Sequence, residues 1–282
     1  MNVKKLVFTD LDGSLLEHHD YDYSAAIPAI NKLTQCKVPW ILTTSKTAAE
    51  VIELRAELDN TYPFIVENGA GIFWPIGGLD TQILYNSQVL QKPIVQKWMQ
   101  DFQYMSLSPL LMPEILQLAQ TYKQQMNLSF VGFSEMSAKQ VADCTGLTFE
   151  KAIKAKQREF SEPLLWLDSE ENLIKLADAM TLHGLQLIKG GRFVHLMGKS
   201  NKGLALKVLA DYYHQAWQEP VETMALGDGN NDIPLLEASD YPVIIRSPVN
   251  QAPMVKHNKV FITQENGPVG WNQAVLDWLE LD

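Results

Sequence analysis

Lys5-Leu6-Val7-Phe8-Thr9-Asp10-Leu11-Asp12-Gly13-Ser14 decides the fold. Leu6-Val7-Phe8 is a short apolar run bounded by a turn signal, so it reads as a buried strand ending at Thr9-Asp10. Two aspartates then leave the strand two positions apart, and Gly13 permits a loop that curls around a ligand. In a parallel α/β sheet, residues at the carboxyl ends of strands face the ligand crevice.

Outward from this strand the chain alternates. Ile27, Ile30 and Leu33 recur at helical spacing, and Val38 to Thr43 is a second strand. Thr47 to Glu50 is a capping box that opens a helix, and Phe64-Ile65-Val66 is a third strand. This alternation predicts a parallel sheet with crossover helices. The pattern then changes. Gly69 to Pro75 reads as a hairpin arm and Gly77-Gly78 as a turn. Helices are expected over Pro113 to Met126, Ser137 to Cys144 and Glu170 to His183. Strands are expected over Leu128 to Phe133, Leu164 to Leu167 and Leu185 to Ile188. Alternation returns with a helix over Lys202 to Ala216 and a strand over Thr223 to Leu226. A short helix over Asp232 to Ala238, strands at Val243 to Ile245 and Val260 to Ile262, and a helix over Val269 to Leu281 complete the chain. The expected architecture is α/β: a doubly wound parallel-sheet core from residues 1–85 and 191–282, with an α+β module, residues 86–190, inserted into it.

The second carboxylate stretch is Leu226-Gly227-Asp228-Gly229-Asn230-Asn231-Asp232, again directly after an apolar strand. Asp, Asn and Gly are the commonest turn residues, so either stretch alone competes with an ordinary turn. Two of them, each at a strand's end, argue for a site. If the strands are neighbours, three or four carboxylates converge and repel one another unless a hard cation neutralises them. Oxygen ligands without His or Cys point to Mg²⁺.

Composition narrows the class. The chain has 282 residues, enough for one large domain or two moderate ones. A formal net charge of −10 argues against a nucleic-acid surface, though not against an anionic small substrate. Cys36 and Cys144 form no CxxC pattern and read as reduced thiols. No signal peptide and no run of membrane-spanning length is legible, so a cytoplasmic monomer or small homo-oligomer without membrane partners is expected.

Four stretches in order resemble the haloacid dehalogenase superfamily of phosphatases: Asp10 to Ser14, Trp40 to Lys46, Gly198 to Gly203, and Gly227 to Asp232. The insertion lies between the second and third, as in members whose cap is an α+β module. Further stretches resemble the mannosyl-3-phosphoglycerate phosphatase group: Ser45-Lys46-Thr47, Gly132-Phe133-Ser134, Thr145-Gly146-Leu147, Arg158 to Pro163, Gly190 to Phe193, and Gly267 to Trp271. This resemblance implies a small phosphorylated substrate, a glyceric acid carrying a sugar.

The resemblance also implies roles. Asp10 is the nucleophile that forms an aspartyl phosphate. Asp12 protonates the leaving alkoxide, then deprotonates water, and its carbonyl is a family metal ligand. Asp10 and Asp228 bind Mg²⁺, with Asn231 and Asp232 positioning lysine, metal waters or phosphate. Thr44 and Lys202 hold phosphate oxygens, and Thr43 is the alternative hydroxyl if the strand end shifts by one. Lys46, Arg158, Lys189 and Arg192 are candidates for the substrate's carboxylate or sugar, each competing with a solvated surface charge; Arg192 is favoured because a Gly-Gly turn presents it. His195 reads as a core or edge histidine; His18 and His19, in the loop after the first stretch, read as solvated rather than as brushing the site. A different sugar phosphate (hexose or sucrose phosphate), a phosphomutase and a non-catalytic phosphosugar binder remain as alternatives.

Overall fold

The computed structural model describes residues 3–87, 89, 95–98, 101–190 and 192–281. The chain forms two compact units: Met1–Thr44 with Asn60–Met105 and Asn201–Asp282, and Ser45–Asp59 with Ser106–Ser200.

The first unit holds a parallel sheet in the order Phe261–Asn266, Tyr241–Arg246, Val221–Gly227, Lys4–Thr9, Trp40–Leu42. Leu6, Val7 and Phe8 are fully buried, as are Ile41, Leu42, Ala225 and Leu226. These runs carry no polar face because parallel strands are covered on both sides. Two helix pairs pack on the sheet: Ile27–Cys36 with Gly267–Leu279, and Lys202–Trp217 with Ile233–Ala238. From the strand Lys4–Thr9 the chain goes first to one neighbour, Trp40–Leu42, and later to the other, Val221–Gly227. Strand order therefore reverses beside Asp10, which is where α/β sheets open a crevice.

A second sheet of this unit contains the antiparallel pairs Phe64–Val66 with Gly71–Pro75 and Val95–Trp98 with Phe102–Ser106. Phe73 stacks on Tyr104 at 5.2 Å and Phe64 meets Phe102 edge-on at 5.6 Å. The parallel bridge Thr43↔Ile65 joins the two sheets.

The other unit is built on an antiparallel sheet in the order Phe130–Gly132, Ser161–Trp166, Phe193–Gly198, Leu185–Gly190. Ile115, Leu164, Leu176, Met180 and Leu196 form one buried cluster. Phe133, Met136, Val141 and Ala152 form another.

The division does not fall at residues 85/86 and 190/191. Residues 95–105 stay with the first unit because the hairpin extends the sheet that Phe64–Val66 begins. Residues 45–59 go with the second because their helix, Ala48–Glu57, packs on the helix Phe149–Ala155. Thr47 caps the former through Glu50 and also donates its hydroxyl to Lys154 O at 3.0 Å. The strand expected over Val38 to Thr43 is shorter, Trp40–Leu42, and the last strand runs later, Phe261–Asn266. Cys36 and Cys144 are free thiols. Among the described residues no helix is long and apolar enough to cross a membrane.

Candidate active site

Asp10 follows the strand Lys4–Thr9, and its backbone N–H donates to Leu226 O at 2.9 Å. This hydrogen bond, with the register Thr9↔Leu226, sets the Asp10 loop beside the loop that carries Asp228. Carboxylate oxygens of Asp10, Asp228 and Asp232 all lie within 4.8 Å of one another, and all three residues are buried. Stretches separated by more than two hundred residues in the sequence thus meet at one sheet edge.

Lys202 sits among them with no exposed surface. Its Nζ donates to Asp10 Oδ1 and to Asp232 Oδ1, each at 2.6 Å. Asp232 Oδ2 accepts the backbone N–H groups of Asp228 (3.2 Å) and Gly229 (3.0 Å), so both of its oxygens are occupied. Asp232 is therefore a group that holds Lys202 and the loop. The oxygens with no hydrogen bond among the described residues are Asp10 Oδ2 and Asp228 Oδ1. Two buried carboxylate oxygens fit a hard divalent cation that keeps some waters.

Burial pushes the Asp10 carboxyl up to about 8, helped by the charges of Asp232 and Asp228 and against the Lys202 ammonium. Burial also raises Asp228, although Asn250 and His18 oppose it. Burial pulls Lys202 down, but Asp10 and then Asp232 outweigh it and hold the ammonium above the ordinary lysine range. A stability prediction follows for the metal-free protein. Folded Asp10 holds its proton up to about pH 8, whereas the unfolded carboxyl loses it near 3.8, so the folded state binds more protons in that window. Stability from this group is full at low pH and declines as pH rises from about 4 to about 8. A bound divalent cation competes with that proton. Mg²⁺ should therefore raise Tm more at pH 8 than at pH 5; at a hundred times Kd the gain is about 2.7 kcal/mol. Thermal melts with chelator and with excess Mg²⁺ check this, and an equal rise at both pH values contradicts it.

The other predicted residues divide. Asp12 is half-buried on the same loop, which folds back through an Asp12↔Leu16 bridge. Thr43 and Thr44 are buried just beyond the strand Trp40–Leu42. Thr43 donates its hydroxyl back to Ile41 O at 3.2 Å, whereas the Thr44 backbone bridges Ile65 O and the N–H of Asn68. Asn231 is exposed, and its amide donates to Asn68 Oδ1 at 3.5 Å.

The four basic candidates are all in the second unit. Lys189 is exposed and ion-paired with Glu170 at 2.7 Å. Arg192 is exposed and donates to Cys144 O at 2.6 Å; Gly191 of its expected turn lies outside the described residues. Arg158 donates from Nε to Ser161 O and Oγ and from a terminal nitrogen to Ser45 O. Lys46 is half-buried. His195 is a core histidine: burial, then Arg158, lowers it to about 3.

Several site neighbours escaped the sequence reading. His18 is half-buried and lies 3.1 Å from Asp228, at the site rather than in solvent. Asn250 donates to Asp228 at 2.8 Å from the loop after the strand Tyr241–Arg246. Position after a parallel strand was the available signal. Glu67-Asn68-Gly69 turns with three successive positive φ angles, 49°, 57° and 90°. A Cβ on Gly69 would lie 2.2 Å from the backbone carbon of Asn201, the cap of the Lys202 helix. Gly69→Ala therefore adds strain and a backbone clash, at about 1–3 kcal/mol or more. The expected result is a lower urea midpoint together with reduced turnover, because the helix start that carries Lys202 must move. An unchanged midpoint contradicts the packing.

The profile of a family described as haloacid dehalogenase-like hydrolase matches residues 7–270. A glucosyl-3-phosphoglycerate/mannosyl-3-phosphoglycerate phosphatase of Methanococcoides burtonii is 33% identical over 276 residues, covering 98% of this chain and 97% of the relative. A phosphatase of the same description from Persephonella marina is 31% identical over 271 residues, 96% of this chain and 95% of the relative. Among solved structures, the sucrose-phosphatase of Synechocystis sp. PCC6803 in complex with sucrose and phosphate superposes with a TM-score of 0.62. It is 18% identical, with 100% of each chain covered, which speaks to fold alone.

Proposed function

Because the chain belongs to the haloacid dehalogenase-like hydrolases and is a phosphoric monoester hydrolase, we propose that it is a Mg²⁺-dependent phosphatase acting through an aspartyl phosphate at Asp10. One observation supports this reading: buried carboxylate oxygens of Asp10 and Asp228 lie within 4.8 Å of each other while Lys202 donates to Asp10 at 2.6 Å.

In the proposed reaction an Asp10 carboxylate oxygen attacks phosphorus as the bond to the leaving oxygen breaks. Asp12 supplies a proton to that alkoxide. Water then attacks phosphorus, Asp12 takes its proton, and the bond to Asp10 breaks to release inorganic phosphate. Covalent catalysis of this kind replaces one difficult displacement with two easier ones. Asp10 and Asp228 would hold Mg²⁺, whose charge offsets the repulsion between carboxylate and phosphate. Lys202 and Thr44 bind phosphate oxygens, where a fixed ammonium and hydroxyl match the charge that spreads in transfer. Asp232 keeps Lys202 charged and in place.

For the substrate we propose mannosyl- or glucosyl-3-phosphoglycerate, released as the glycosylglycerate. The support is the full-length likeness to two phosphatases described by those substrates. Substrate selection is assigned to the second unit, with Arg158 preferred to the exposed Lys189 and Arg192.

A phosphate-release screen with and without Mg²⁺ tests the reading. It compares both glycosyl-3-phosphoglycerates, hexose phosphates and sucrose phosphate. The expected result is Mg²⁺-dependent release with kcat/KM highest for the glycosyl-3-phosphoglycerates. A higher value for hexose or sucrose phosphate overturns the substrate, and a positional isomer in place of free phosphate makes the enzyme a mutase.

A further inference from the structure

Asp228 Oδ2 is gripped by groups from two other stretches that the proposed reaction does not use. His18 Nε2 lies 3.1 Å from it and 2.8 Å from Ser247 Oγ. Asn250 Nδ2 donates to the same oxygen at 2.8 Å. Ser247 Oγ also accepts the backbone N–H groups of Val249 (3.3 Å) and Asn250 (3.1 Å), which builds the turn that carries the Asn250 amide to Asp228. The strand Tyr241–Arg246 ends just before this turn and neighbours the strand that ends at Gly227.

Gly13 is shaped to the same contact. Its φ is +79°, and a Cβ there would lie 2.2 Å from His18 Nε2 and 2.5 Å from Asp228 Oδ2. Only a residue without a side chain lets the imidazole and the carboxylate close over this loop. The arrangement is not a nucleophilic Ser-His-Asp relay. Both contacts use Nε2, whereas a relay needs opposite ring nitrogens on the two partners. Its geometric consequence is different: both contacts fall on Oδ2 of Asp228 and neither on Oδ1.

We infer that His18, backed by Ser247 and Asn250, is a positioning residue that locks the Asp228 carboxylate so that Oδ1 alone is offered to the divalent cation. Partners that fix a ligand's orientation commonly govern affinity for the metal. The inference rests on the reading of Asp228 as a cation ligand.

Mg²⁺ titration of the metal-free full chain, by calorimetry and by thermal melts, tests it. His18→Leu should bind Mg²⁺ roughly 10–100-fold more weakly than wild type. Its metal-free Tm should stay within about 2 °C of wild type, a change that corresponds to under one kcal/mol for a domain of this size. His18→Gln keeps an N–H near the Nε2 position and should recover most of the affinity. Asn250→Ala should weaken binding as well, and the double variant should lose less than the product of the two effects because both hold one oxygen. Wild-type affinity in both His18→Leu and Asn250→Ala overturns the inference. So does a fall in metal-free Tm that accompanies the loss of affinity and is not rescued by His18→Gln. Failure of the wild-type chain itself to bind Mg²⁺ removes the parent reading of Asp228, a separate and distinguishable result.

Discussion

Asp10→Asn is expected to lower Mg²⁺-dependent phosphate release by about 10³-fold or more, since it removes the proposed nucleophile. The fold should survive. Asp10 is buried against Asp228 and Asp232, and its carboxyl is raised to about 8 because its charge is disfavoured there. A neutral amide of the same shape removes that repulsion while Asp232 still pairs with Lys202 at 2.6 Å. The metal-free variant should therefore melt at or above the wild-type temperature at pH 8. Such an exchange of stability for activity is common where a site holds strained charge. Melting curves and a phosphate assay on one preparation check both halves, and normal turnover by the variant would end the case for Asp10 as nucleophile.

Lys202→Met should fail in the opposite way, losing stability and activity together. The ammonium has no exposed surface and makes two 2.6 Å contacts, to Asp10 and Asp232. Removing one member of a buried ionic group leaves its partners uncompensated, at a cost of about 3–5 kcal/mol. The deficit should be larger at pH 8 than at pH 5, because at the lower pH a proton on the carboxylates takes over part of the ammonium's role. Turnover should fall by about 10²–10³-fold as a donor to the phosphoryl oxygens is lost. Urea unfolding at the two pH values reads the first effect. A variant as stable as wild type at pH 8 contradicts the buried-pair account.

The site was legible in the sequence where local rules apply. Asp10 and Asp228 each follow an apolar run at a strand end, and parallel pairing brings such ends together. Lys202 was marked by the family resemblance of Gly198 to Gly203, since a lysine at a helix start reads equally well as solvated. Residues that reach the site only through tertiary contact were marked weakly, as His18 was by its loop after Asp10, or not at all. His18 and Asn250 carry no periodic or capping signal, and their importance comes from a shared contact with one carboxylate oxygen. The helix Phe149–Ala155 was missed for a different reason. Its large apolar residues Phe149 and Ile153 point outward while Ala152 and Ala155 face inward, so side-chain size misleads the phase. The placement of Ala48–Glu57 with the second unit depended on a backbone carbonyl at Lys154, which no spacing rule anticipates.

Crystals grown with Mn²⁺ in place of Mg²⁺ would test the central claim most directly, because the ion's anomalous scattering locates it without assumption. One peak is predicted, about 2.1 Å from a carboxylate oxygen of Asp10 and of Asp228, with Lys202 still bound to Asp10. A peak that touches only one of these aspartates, or an ion held elsewhere, would contradict the account.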